Sequence, residues 1–85
     1  MAYMKVELKP YAIKDLQGLQ KQEAVRIASK LNEIEGGLTG DIKRLTNFTP
    51  EYRLRVGNYR VLFEVEETTI VVYRVMHRRH VYLKG

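Results

Sequence analysis

The 85-residue chain contains no cysteine. That excludes a disulfide framework and any thiolate metal site. Only two histidines are present as nitrogen ligands, which argues against a structural zinc, and no metal or cofactor is expected. Ser29 is the only serine, and its mid-helix setting without a neighbouring base excludes a serine hydrolase. Paired-carboxylate, P-loop, dinucleotide-binding and nucleophile-elbow patterns are all missing. No apolar run approaches membrane length. The start, Met1-Ala2-Tyr3-Met4-Lys5-Val6, lacks the long apolar core and small-residue cleavage site of a signal peptide. The expectation is a cytosolic protein with no membrane partner.

What remains is ordinary for a soluble globular protein: 45% hydrophobic and 29% charged residues, in a length that allows one small domain, residues 1–85. The charge distribution is less ordinary. Residues 1–42 carry six basic and six acidic side chains, whereas residues 43–85 carry nine basic and four acidic. The whole net charge of +5 therefore lies in the second half. Seven of those nine cations are arginine: Arg44, Arg53, Arg55, Arg60, Arg74, Arg78 and Arg79, beside Lys43 and Lys84. Arginine grips phosphate with a planar fork, and such an excess points to a polyanion such as nucleic acid.

Hydrophobic periodicity gives the element order. Val6 and Leu8 alternate with charged residues, which predicts a strand near 3–9. Pro10 then suits a first helical turn. Ile13, Leu16 and Leu19 predict a short helix near 10–18. Ala24, Ile27, Ala28, Leu31 and Ile34 form the stripe of a second helix near 20–35, which Gly36-Gly37 stops. Residues 36–50 read as loop with a short strand at Ile42–Leu45. From Tyr52 the period becomes two, through Tyr52–Val56, a Gly57-Asn58 turn, Tyr59–Glu66, a Glu67-Thr68 turn and Thr69–His77. The fold expected is α+β: two N-terminal helices packed on one face of a small, mostly antiparallel sheet, in the order β-α-α-β-β-β.

Strand parity assigns the sheet faces. With Tyr52, Leu54, Val56, Tyr59, Val61, Phe63, Val65, Val71, Tyr73 and Val75 toward the helices, the far face receives Arg53, Arg55, Arg60 and Arg74. Arg78, His80 and Tyr82 join them if the last strand continues. Leu62, Ile70, Val72 and Met76 supply flat apolar patches between the cations, a combination suited to phosphate and base contact. The run His77-Arg78-Arg79-His80-Val81-Tyr82 is the densest chemical cluster in the chain. Histidine is the natural acid or base near neutral pH, and tyrosine can stack on a base. His77 falls by parity on the helix side and reads as a packing residue.

Three segments carry a family resemblance: Asp41-Ile42-Lys43-Arg44-Leu45, Tyr52-Arg53-Leu54-Arg55-Val56-Gly57-Asn58-Tyr59-Arg60-Val61, and Val75-Met76-His77-Arg78-Arg79-His80-Val81-Tyr82. With the strand–helix–helix start around Ala12-Ile13-Lys14-Asp15-Leu16, the chain resembles the RelE toxins of the RelE/ParE superfamily over its full length. The resemblance implies a microbial RNase-like fold. It implies a ribosome-dependent endonuclease that cuts translated mRNA in the A site by attack of the 2′-hydroxyl. It further implies the ribosome, mRNA and a RelB-like cognate antitoxin as partners. Carried over by motif, the family's catalytic positions fall on Arg53, Arg55, Arg60, Arg78 and Tyr82. The catalytic set expected here is Arg55, Arg60, Arg78, His80 and Tyr82, with Lys43, Arg44, Arg53, Arg74 and Arg79 as RNA contacts. Some RelE toxins have lysine at the positions of Arg53 and Arg55. Arginine does not give up its proton, so catalysis here falls either to orientation and charge stabilisation or to His80 as proton carrier. A ParE-like gyrase inhibitor and a non-catalytic RNA-binding module are the competing readings.

Overall fold

The computed structural model describes residues 4–38, 40–45 and 49–81. The chain runs β1 (Lys5–Leu8), α1 (Pro10–Gln17), α2 (Lys21–Ile34), β2 (Ile42–Arg44), β3 (Tyr52–Val56), β4 (Tyr59–Glu66), β5 (Thr69–His77) and α3 (Arg78–Val81). Pro10 opens α1, where its missing N–H leaves no hydrogen bond unmade, and Gly18 closes it. Gly57 turns β3 into β4 at φ +60, a conformation that costs glycine little.

The five strands form one sheet in the order β1-β5-β4-β3-β2. The β2–β3, β3–β4 and β4–β5 pairs are antiparallel. β1 lies parallel to β5, because the α1–α2 crossover returns the chain to the far side of the sheet. The α+β class and its mostly antiparallel sheet therefore stand as the sequence predicts.

Three placements differ from the sequence reading. A register shift at Leu62/Phe63 leaves Tyr73 as an extra residue in β5, since Leu62 pairs with Arg74 and Phe63 with Val72. The extra residue reverses parity upstream of it. Ile70 and Val72 therefore enter the core, and Val71 turns to the far face beside Glu64. Second, Ile13 is 42% exposed, while Ala12 is wholly buried and anchors α1. Third, the chain does not continue as a strand after His77 but winds into α3.

The core joins Ala12 of α1 and Ile27, Leu31 and Ile34 of α2 to Leu54, Val56, Val61, Phe63, Ile70, Val72 and Val75 of the sheet. Tyr52 stacks on Phe63 across the β3–β4 pair, with ring centroids 5.4 Å apart. Two helices thus cover one face and leave the other to the arginines.

Candidate functional site

On the face away from α1 and α2, Arg55 and Arg60 are direct cross-strand partners, and Arg53 stands one pleat further along β3. They are not an evenly solvated set. Arg53 and Arg60 are 9% and 6% exposed, and Leu62 beside them is also buried; Arg55 is open. Arg60 is held by its own turn, its Nη1 donating to the carbonyls of Gly57 and Tyr59 at 3.0 Å each. Asp41 stands between the β3 pair. Its Oδ1 lies 3.8 Å from Arg53 Nη2 and its Oδ2 3.8 Å from Arg55 Nη1. The Asp41 carbonyl also accepts the Arg55 amide at 2.9 Å. Asp41 is thus the carboxylate that straddles the Arg53 and Arg55 guanidinium groups among the described residues. The role of Asp41 was hidden in the sequence, because only the fold brings it beside Arg53 and Arg55.

The flanking cations are engaged to different degrees. Lys43 is exposed on β2 opposite Arg53. Arg44 bonds Glu51 at 3.1 Å, and that hydrogen bond and charge raise its pKa above the ordinary value. Arg74 is the most committed. Its Nε and Nη2 donate to the two oxygens of Asp15 at 2.8 and 3.1 Å, and its guanidinium lies 5.5 Å from the centre of the Tyr11 ring. The Asp15 hydrogen bond holds its pKa above the ordinary value. Arg74 fastens α1 to β5, a task that sequence spacing did not suggest.

α3 rearranges the tail cluster. Arg78 is exposed, and its amide donates to the Asn58 carbonyl at 2.7 Å, so the helix starts on the β3–β4 turn beside Arg60. His77 lies on the helix side, as parity predicted, edge-on to Tyr59 with centroids 5.3 Å apart. Its Nδ1 accepts the Arg79 amide at 3.2 Å. Partial burial, then the charges of Arg79, His80, Arg78 and Arg60, lower its pKa below the usual histidine value. His80 does not follow strand parity onto the arginine face, because residues two apart on a helix point in divergent directions. It lies 6.4 Å from the His77 ring, in a cleft of about 370 Å³ shared with Lys14, Asp15, Leu19 and Tyr59. Arg79 is exposed on α3. Tyr82 lies outside the described residues. Among the described residues no three His, Asp or Glu side chains gather as a metal site. No helix among them is long and apolar enough to cross a membrane.

The geometry is that of a helix-backed sheet with basic side chains on its open face. The chain belongs to the family of ParE toxins of type II toxin–antitoxin systems, whose model matches residues 6–82, and within it is RelE-type. It is 36% identical over 84 residues to Toxin RelE3 of Methanocaldococcus jannaschii, covering 93% of this chain and 96% of that one. The toxin in the RelB–RelE antitoxin–toxin complex from Methanococcus jannaschii is similar in structure: TM-score 0.74 and 33% identity over 88% of this chain and 93% of that one. The RelBE2 complex from Mycobacterium tuberculosis shares the fold at TM-score 0.78 and 23% identity, over 91% of this chain and all of that one, 100%.

Proposed function

We propose that this toxin is a ribosome-dependent mRNA endonuclease, held inactive by a RelB-like antitoxin. The observation that carries the reading is the Arg55–Arg60 cross-strand pair, with Arg53 buried next to it and Arg78 docked on the same turn. In the reaction the mRNA 2′-oxygen attacks the adjacent phosphorus. A 2′,3′-cyclic phosphate forms, and the bond to the 5′-oxygen breaks, which leaves as a hydroxyl. Arg60 and Arg78 hold the scissile phosphate, Arg55 faces the phosphate or the leaving oxygen, and Arg53 positions the strand. Tyr82 stacks on a base. Lys43, Arg44 and Arg79 contact ribosomal RNA, whereas Arg74 serves chiefly through Asp15. No arginine accepts the 2′ proton, so orientation and charge stabilisation carry most of the acceleration; His80, the proton carrier of this reading, has to act from the cleft it shares with His77 rather than from the arginine face. The antitoxin partner is supported by the RelB–RelE complexes among the structural relatives.

A programmed translation assay tests this. mRNA is expected to be cut within codons only when ribosomes are present. Arg55→Ala and Arg78→Ala, both at exposed positions, should each lower cutting by about 100-fold while the protein stays folded. Cutting that survives both changes sinks the site assignment. Loss of DNA supercoiling without mRNA cleavage would favour the gyrase reading instead.

A further inference from the structure

His77 is the last residue of β5 and the residue immediately before α3. In capping terms it occupies the N-cap, Arg78 is the first helical residue and Arg79 the second. A cap residue satisfies the exposed amide of the second or third helical position through a side-chain acceptor. His77 does this with an unusual atom, the imidazole Nδ1, which accepts the Arg79 amide at 3.2 Å. The ring is fixed from its other side by edge contact with Tyr59, its cross-strand partner. The same junction holds Arg78, whose amide reaches the Asn58 carbonyl at 2.7 Å. Arg60 grips the carbonyls flanking that residue, Gly57 and Tyr59. Three successive carbonyls of the β3–β4 turn are thus bound by Arg60 and by the first amide of α3.

We infer that His77 is a positioning residue, whose neutral imidazole caps α3 and thereby holds Arg78 beside Arg60. The assignment of Arg78 to the scissile phosphate rests on the endonuclease reading; the capping does not. Nδ1 can accept only while it is unprotonated, and a protonated ring would point a donor at another donor. The groups around it work against protonation. The charges of Arg79, His80 and Arg78 on α3, and of Arg60 on β4, act on it. Lys14 and Asp15 of α1 and Arg74 of β5 line the adjoining cleft, where Arg74 occupies the one carboxylate. The histidine pKa is accordingly lowered. A folded pKa below the unfolded one gives a stabilising contribution that is complete above the ordinary histidine range and lost as pH falls through the lowered value. Acidification therefore uncaps α3 and releases Arg78.

Asparagine supplies a capping oxygen without titrating, so His77→Asn and His77→Ala separate the cap from the ring packing. Two readouts are taken on each protein between pH 7.5 and pH 5: hydrogen exchange at the Arg78 and Arg79 amides, and ribosome-programmed cleavage. In His77→Ala both amides should exchange about tenfold faster at pH 7.5, with a similar loss of cleavage. His77→Asn should stay within about twofold of the parent at pH 7.5. The parent should lose protection and cleavage relative to His77→Asn as pH falls. An alanine variant with unchanged amide protection overturns the capping, as does an asparagine variant as impaired as alanine. If none of the three proteins cuts mRNA, the endonuclease reading fails, and amide exchange alone then decides the cap.

Discussion

Arg53, Arg55 and Arg60 look equivalent in sequence, yet they have different physical tasks. Arg55 is open to solvent, with Asp41 3.8 Å from its guanidinium. Arg60 is 6% exposed and spends hydrogen bonds on Gly57 and Tyr59. Removing its side chain strips two part-buried carbonyls of a charged donor. Arg60→Ala should therefore destabilise the fold by roughly 2–4 kcal/mol in urea unfolding. A variant as stable as the parent would show that Arg60 does not brace its turn. Loss of cleavage in Arg60→Ala alone would therefore mix folding with chemistry, which is why Arg55 and Arg78 are the cleaner probes. The alternation around Tyr52–Arg60 made these side chains visible as a one-sided set. Their burial was not visible, because it depends on what packs over the far face rather than on spacing.

At the level of elements, β5 outlasts its neighbour. β1 pairs with it from Thr69 to Val72, and beyond that no strand among the described residues lies beside the β5 edge. An uncovered edge is a liability for pairing with other chains. Here α1 takes over: the Asp15 carboxylate accepts the Val75 amide at 2.9 Å as well as the Arg74 guanidinium. One side chain replaces the missing strand partner and joins helix to sheet. Asp15→Ala is expected to cost roughly 2–3 kcal/mol, read from the urea midpoint, because it orphans a backbone donor and a partly buried cation. Asp15→Asn should cost less, since an amide oxygen still accepts from Val75. Equal stability of Asp15→Ala and the parent would reject the latch. The helices and strands themselves follow from periods of 3.6 and two. The Asp15–Arg74 pair spans 59 positions, and no local pattern signals it.

Over the whole molecule, the excess charge becomes a directional property. α1, α2 and β1 are drawn from the neutral half of the chain, and the arginines of the open sheet face from the basic half. Binding through such a face releases counterions. If about four arginines meet phosphates, the affinity for a short single-stranded RNA should fall with salt at a log–log slope of roughly −3. Arg55→Ala should make that slope shallower by about 0.7, as fluorescence anisotropy across a salt series would show. A salt-independent affinity would remove phosphate contact from the account.

The sequence by itself determined α1, α2, the five strands, the basic half and the family motifs, because period, turn chemistry and charge are local quantities. Only the tertiary structure decided which residues share a face near the ends of β5. An extra residue at Tyr73 reverses parity there, and the α3 cap reverses the expectation for His80. Both depend on pairing with β4 and its turn, contacts that exist only once the sheet has formed. The same holds for Asp41 between Arg53 and Arg55 and for Asp15 on Arg74. Each balances charge between segments far apart in the chain, and electrostatics acts through space, not along sequence.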